Sequence, residues 1–321
     1  MKKIIIQIPC FNEESTLPIV LAALPRSLSG FDVVEWLIID DGCTDNTVRV
    51  AKEHGVDHVV NFRKNRGLAR GFMAGIDKCL ELGADVIVNT DADNQYKASD
   101  ISKLVEPILA GLADIVVGSR PIDDIDDFSP IKKILQKIGS KVVRVVSKTT
   151  VRDVTSGFRA MSRDAAMQMN VFSEYTYTLE SVIQAGQKNL AVLSVPIGTN
   201  DYLRPSRLMS SIPSYISKSV ATIFRIFVVY KPFRFFIVLG TVLFLLGILV
   251  GLRFLFYYLG GDGGGHIQSL ILASLFLSAG FQIIMVAFLS DLLSVNRRLS
   301  EDIQYRLKKI EYNKALLKEV K

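Results

Sequence analysis

The sequence predicts an α/β fold: a mainly parallel, doubly wound sheet in roughly the first two thirds of the chain, followed by two membrane-spanning helices. Short apolar runs alternating with helix-period segments predict the sheet, and acidic or small residues close each run. Two stretches, 235–252 and 269–289, are almost unbroken apolar sequence and predict the spans. The 321-residue chain is 49% hydrophobic, too apolar for an ordinary soluble enzyme of that length. Its net charge of +6 suits an anionic membrane surface or a phosphorylated substrate. Nucleic acid is excluded as a partner: the most clustered Lys and Arg residues adjoin the apolar segments, and no helix-turn-helix or zinc-finger spacing occurs. Cys10, Cys43 and Cys79 are odd in number and lie in or beside buried elements, so they read as reduced packing residues.

Residues 3–9 form the first strand. The charged start resembles a signal peptide, but its apolar run stops at Gln7 and Pro9. Pro9-Cys10-Phe11-Asn12-Glu13-Glu14 then leads into a helix at about residues 16–24, placing Glu13 where a carboxylate accepts hydrogen bonds from a base or ribose. A second strand, 36–39, ends in Asp40-Asp41-Gly42, and Thr44, Asp45 and Asn46 are cap candidates for a helix through His54. A third strand, 57–61, leads to Arg63-Lys64-Asn65-Arg66-Gly67 and a helix through Leu82. Arg66 and free backbone N–H groups at the Gly67 turn suit a diphosphate, while a solvated basic loop explains them equally well.

The fourth strand begins at Val86 and ends in Asp91-Ala92-Asp93-Asn94-Gln95. Open α/β sheets bind ligands at such carboxyl ends. Two carboxylates spaced Asp-x-Asp can converge on one hard cation, Mg²⁺ or Mn²⁺, with Gln95 adding a neutral oxygen. An acidic turn that only caps the next helix is the simpler reading of the tripeptide alone. A fifth strand, 114–118, ends in Ser119-Arg120, and Asp123-Asp124-Ile125-Asp126-Asp127 reads as a solvated loop. A basic helix follows at 130–148 with Lys132, Lys133, Lys137, Lys141 and Arg144. In Arg152-Asp153-Val154-Thr155-Ser156-Gly157-Phe158-Arg159, small residues beside a glycine let backbone approach a ligand. The segment to Lys188 is expected to be helical and 190–195 extended, and Tyr202-Leu203-Arg204-Pro205-Ser206-Arg207 closes the region.

Beyond this, Ile212, Tyr215, Ile216, Ser219, Val220, Ile223, Phe227 and Tyr230 recur at helical spacing, the pattern of a helix lying in the membrane interface. Aromatic residues crowd both ends of the first span, and Gly260-Gly261-Asp262-Gly263-Gly264-Gly265 turns the chain into the second. Lys231 and Arg234 precede the first span and Arg297 and Arg298 follow the second, whereas only Arg253 lies near the connector. The positive-inside rule therefore puts both the large domain and the tail in the cytoplasm. The expected organisation is 1–210 catalytic domain, 211–232 interfacial helix, 233–290 two-helix hairpin and 291–321 tail helix. That tail, carrying Leu299, Ile303, Leu307, Ile310 and Leu317 among many charges, pairs with another subunit or packs on the domain. Together with Gly240, Gly247, Gly251 and Gly280, which permit close packing in lipid, it suggests a homo-oligomer.

With these residues laid out, the chain resembles the family 2 glycosyltransferases of GT-A fold, and among them the membrane-bound polyprenyl-phosphate glycosyltransferases similar to dolichyl-phosphate mannose synthase. The likeness rests on Ile8-Pro9-Cys10-Phe11-Asn12-Glu13, Asp40-Asp41-Gly42, Asn65-Arg66-Gly67, Asp91-Ala92-Asp93-Asn94-Gln95, Gly118-Ser119-Arg120 and Asp153-Val154-Thr155-Ser156-Gly157-Phe158-Arg159, in family order. The resemblance implies that Pro9, Phe11, Glu13 and Asp40 hold the nucleotide base and ribose, and that Asp91, Asp93 and Gln95 ligate the metal. It also implies an acceptor-phosphate site at Arg120, Ser140 and Arg204, with Lys137 where the family more often has arginine. The family's late Arg-x-x-Gly-x-Ser-Lys-like segment is compressed here to Arg204-Pro205-Ser206-Arg207.

The implied reaction is inverting transfer from a nucleotide-diphosphate sugar, UDP- or GDP-linked, to undecaprenyl or dolichyl phosphate. A cation on Asp91 and Asp93 neutralises the departing diphosphate. The acceptor phosphate is already anionic and needs positive charge and geometry rather than a strong base, which Arg120, Lys137, Arg204 and Arg207 supply. A processive polysaccharide synthase is rejected because the sole tryptophan is Trp36, so the Gln-x-x-Arg-Trp motif of such enzymes is missing. A hydroxyl-bearing lipid acceptor would require a base that no other carboxylate is clearly placed to provide. Complete metal ligands weigh against an inactive membrane scaffold.

Overall fold

A computed structural model describes residues 1–121, 139–141, 143–145, 147–171, 177–201, 221, 224, 225, 228, 230–261 and 263–319. Lys137, Arg204 and Arg207, the aspartate-rich loop and most of the expected interfacial helix lie outside them. Two compact units are described separately: Met1–Ser217 with Asp302–Lys321, and Lys218–Glu301.

In the first unit, β1 (Lys3–Cys10), β2 (Val33–Asp40), β3 (His58–Asn61), β4 (Val86–Asn89), β5 (Ile115–Ser119), β6 (Arg159–Ser162) and β7 (Val192–Pro196) form one sheet in the order β3-β2-β1-β4-β6-β5-β7. β1 runs parallel to β2 and β4, β2 to β3, and β5 to β7. Parallel pairing needs crossover helices, and the intervening segments supply α1 (Leu17–Ala23), α2 (Thr47–Glu53), α3 (Leu68–Glu81) and α4 (Ile101–Leu109). One face of the sheet buries Ile4, Ile6, Ile8, Ile38, Val88, Val116 and Phe158 with residues of α1 and α4. The central strands are buried on both faces, which accounts for runs such as Ile4-Ile5-Ile6.

β6 is the departure from the sequence reading, which expects helix there. Arg159-Ala160-Met161-Ser162 instead pairs antiparallel with both β4 and β5, Asn89 facing Arg159 and Val116 facing Ala160. Local propensity is overridden because Ala160 and Met161 complete the core between β4 and β5, each of which would otherwise have one unpaired edge. Helix resumes only at α5 (Arg163–Gln168), where Ser162 Oγ accepts the Ala165 N–H at 3.2 Å, and at α6 (Thr178–Gln187). Antiparallel entry brings the start of β6, and the 153–158 segment before it, to the edge where β1, β2, β4 and β5 end. That edge carries the candidate site.

In the second unit, α7 (Pro232–Leu259) and the first part of α8 (Ile267–Glu319) are long and apolar enough to cross a membrane. The glycines from which association between copies is expected face the other span of the same chain. A Cβ on Gly280 would lie 2.6 Å from the Phe244 backbone nitrogen, and one on Gly247 would lie 2.8 Å from that of Leu277. Gly280→Val is therefore expected to force the spans apart and cost about 1–3 kcal/mol, read as a lower unfolding temperature in detergent.

The expected tail helix is not separate but the continuation of α8. Within the first unit it packs on the domain: Lys308 Nζ pairs with Asp77 of α3 at 2.7 Å, and Tyr305 donates to Asp164 of α5 at 2.7 Å. Leu299, Ile303, Leu307 and Ile310 remain exposed.

Candidate functional site

The ends of β1 and β2 brace one another. Asn12, at φ 56°, accepts the Thr44 N–H through Oδ1 at 2.8 Å, and Thr47 Oγ1 accepts the Glu13 N–H at 2.8 Å. Asp45 takes the Thr47 N–H and hydroxyl as well as the Glu14 N–H, and these bonds outweigh its partial burial to hold the carboxyl below its ordinary range. Glu13 is buried and accepts from Thr16 Oγ1 at 2.7 Å, while Asp40 accepts the Cys43 N–H at 2.7 Å. Phe11 stays 40% exposed beside them, and Pro9 pairs with Ile39 in β2. The result is a stiff polar ledge with one exposed ring. Burial raises the Cys10 and Cys43 thiols, as expected for inert packing cysteines.

Asp41 changes the reading of the Gly67 turn. Its two carboxylate oxygens accept the N–H groups of Arg66 at 2.7 Å and Gly67 at 3.0 Å, so the donors reserved for a diphosphate are taken by a side chain. Gly67 adopts φ 90°, a conformation that favours glycine, and α3 starts immediately after it. The Arg66 guanidinium lies over the Phe62 ring, 4.9 Å from its centroid.

At the end of β4, Asp91 and Asp93 are partly exposed on either side of the buried Ala92. Asp93 Oδ1 accepts the Gln95 N–H at 3.0 Å. Asp91 lies against Gly157, where an added Cβ would come within 2.7 and 2.8 Å of its two oxygens. Gly157 N–H donates to Tyr96 Oη at 3.0 Å, and its carbonyl accepts Asn89 Nδ2 at 2.9 Å. Burial, then the charge of Asp93, pushes the Asp91 carboxyl up to about 7, against weaker opposing contributions from Arg120, Arg159 and Tyr96. Two hard oxygen donors that repel each other in a partly desolvated site fit a divalent cation. No group of three or more His, Cys, Asp or Glu is placed to hold a metal among the described residues.

Gln95, expected as a third ligand, accepts Arg120 Nη1 through Oε1 at 3.3 Å. Arg120 itself is clamped: Nε and Nη2 reach Asp153 at 2.7 and 3.2 Å, and Nη2 reaches Thr155 Oγ1 at 3.0 Å. Both side chains of this ion pair are almost wholly buried. Burial alone would raise the Asp153 carboxyl, but the charge and hydrogen bonds of Arg120 win and hold it below the ordinary range. Ser140 is also buried, and among the described residues its hydroxyl has no hydrogen-bond partner.

Several residues of this cluster escape sequence reasoning. Tyr96 and Tyr177 look like core aromatics, and they do stack on Phe158 and Phe72 respectively, yet their hydroxyls serve Gly157. Arg159 is fully buried, and burial pulls it below arginine's ordinary value against the opposing charges of Tyr177, Tyr96, Asp91 and Asp153. The signal available for it was a cation set between Phe158 and Ala160.

Comparison with known proteins places this arrangement. Residues 5–169 match glycosyl transferase family 2. The UDP-N-acetylglucosamine–dolichyl-phosphate N-acetylglucosaminyltransferase of Methanococcus voltae is 30% identical over 223 residues, covering 62% of this chain and 86% of that protein. The polyprenol monophosphomannose synthase of Mycolicibacterium smegmatis is 26% identical, covering 61% and 77%. The undecaprenyl-phosphate mannosyltransferase of Micrococcus luteus is 28% identical, covering 59% and 80%. Among solved structures, glucosyl-3-phosphoglycerate synthase from Mycobacterium tuberculosis with Mn²⁺, UDP and glucosyl-3-phosphoglycerate superposes with a TM-score of 0.56 at 17% identity, over 71% of this chain and 79% of that one. At that identity the likeness concerns the fold, which is GT-A. With half of its length matched and the site at the same carboxyl edge that its sequence marks, the chain belongs to glycosyl transferase family 2.

Proposed function

We propose that the chain transfers a sugar from a nucleoside-diphosphate donor to a polyprenyl phosphate, with inversion at the anomeric carbon. The observation that carries this is the Asp91–Asp93 pair at the end of β4, whose mutual repulsion and burial call for a cation. Relatives named for dolichyl, polyprenol and undecaprenyl acceptors support the acceptor class. Solved neighbours holding Mn²⁺ or Mg²⁺ with UDP support the cofactor.

In this reading Asp91 and Asp93 hold Mg²⁺ or Mn²⁺, which supplies charge neutralisation for the departing diphosphate. The ledge of Glu13, Asp40 and the exposed Phe11 receives the base and ribose. Arg120, fixed by Asp153, adds a stationary positive charge beside Gln95. Ser140, whose hydroxyl has no partner among the described residues, and Lys137, Arg204 and Arg207 are assigned to the acceptor phosphate on the resemblance. An anionic phosphate oxygen attacks without deprotonation, so these residues need only align it and offset its charge. The two long apolar helices anchor the chain in the bilayer that contains the acceptor, with Lys231, Arg234, Arg297 and Arg298 keeping the domain and tail cytoplasmic. A screen of nucleotide sugars with Mn²⁺ tests the donor class. The true donor at a hundredfold excess over its Kd is expected to stabilise the protein by about 2.7 kcal/mol, and the absence of any shift contradicts the reading.

A further inference from the structure

Arg159 is retained at a cost that β-sheet packing does not explain. It is fully buried, and among the described residues its Nε has no hydrogen-bond partner and no carboxylate lies within ion-pairing distance of it. A desolvated guanidinium in that situation is expensive, and an apolar side chain would fill the same volume more cheaply. Its bonds go to two segments flanking the candidate cation site. Nη2 donates to the carbonyl of Ser156, while Nη1 donates to Ser181 Oγ and to the Thr178 carbonyl at 3.2 Å, in the first turn of α6. The guanidinium also sits 5.2 Å from the centroid of the Tyr177 ring. Tyr177 Oη accepts Asn89 Nδ2 at 2.8 Å and donates to the Gly157 carbonyl at 3.4 Å.

We propose that Arg159 is a positioning residue of the cation site: by tying the Ser156 carbonyl to the start of α6 it holds the Gly157 backbone against the Asp91 carboxylate. The contact has no slack, since even a methyl group on Gly157 would meet both Asp91 oxygens and the Tyr177 hydroxyl at 2.7 to 2.9 Å. Loosening the turn gives the Asp91 carboxylate room to rotate away from its present position against Gly157. A donor fork that reaches two segments at once requires arginine; lysine keeps the charge but cannot bridge them.

This inference rests on the Asp91–Asp93 cation site, and the experiment separates the two. Mn²⁺ alone is titrated into the full-length protein in detergent, with free Mn²⁺ read by electron paramagnetic resonance and unfolding temperature measured in parallel. Arg159→Lys is expected to weaken Mn²⁺ binding at least tenfold, and Ser181→Ala, which removes one anchor and spares the charge, two- to threefold. Leu104→Ala, a core truncation in α4, is expected to lower the unfolding temperature while leaving Mn²⁺ affinity unchanged. Arg159→Lys binding Mn²⁺ as the wild type does overturns the proposal, as does Leu104→Ala weakening it equally. If Arg159→Lys fails to fold, an unchanged affinity in Ser181→Ala overturns it instead. Wild-type protein that binds no Mn²⁺ overturns the cation site itself.

Discussion

Asp93→Asn is expected to lower kcat/KM by about a thousandfold or more, near 4 kcal/mol of transition-state stabilisation, with little change in unfolding temperature. The substitution keeps the shape of a partly exposed side chain and removes a charge that, in the proposed reading, the cation and through it the departing diphosphate require. Asp91→Asn is expected to act similarly on rate but with an added pH signature. The Asp91 carboxyl lies at about 7, above its ordinary 3.8, because burial and the charge of Asp93 favour the protonated form. A group raised on folding contributes stability that is complete below its unfolded value and is lost as pH rises through the folded one. Metal-free protein should therefore lose stability between about pH 4 and pH 7, and Mn²⁺ should stabilise it more at pH 8 than at pH 5. Thermal unfolding across that range, with and without Mn²⁺, reads both effects, and Asp91→Asn should flatten them.

The second large effect falls on stability. Asp153→Ala is expected to cost about 3–5 kcal/mol, because it strands the buried guanidinium of Arg120 without its carboxylate. Pairing it with Arg120→Met should recover much of that loss, since removing both charges leaves nothing buried and unpaired. Activity should not recover with it, because Gln95 loses the Arg120 Nη1 that now orients its amide. Asp153 also has the opposite pH signature to Asp91. Its depressed carboxyl gives stability that is present above its ordinary 3.8 and is lost as pH falls through the folded value. Chemical denaturation of the single and double variants checks the energies, and an acid limb missing from Asp153→Ala checks the sign.

Much of this was legible in the residues. Strand ends at Asp40 and at Asp91 were marked by apolar runs that stop in carboxylates, and the two spans by length alone. What the residues hid is tertiary in origin. β6 is composed of residues comfortable in a helix, and only the vacancy between β4 and β5 makes Arg159-Ala160-Met161-Ser162 a strand. The Gly67 turn advertised free N–H groups, but Asp41, 26 residues away, claims them. Arg120 reads as an open phosphate ligand until Asp153 and Thr155, more than thirty positions on, are folded against it. Such pairings depend on which strand ends share an edge, and linear spacing does not encode that.

The central claim concerns which bond forms, so the product decides it. Purified protein is incubated with Mn²⁺, undecaprenyl phosphate and the nucleotide sugar that stabilises it, and both the lipid extract and the released nucleotide are analysed by mass spectrometry. The account predicts a sugar joined to the lipid through a single phosphate, with nucleoside diphosphate released in equal amount. A pyrophosphate-linked lipid with nucleoside monophosphate released, or a sugar attached to a lipid hydroxyl, would contradict it.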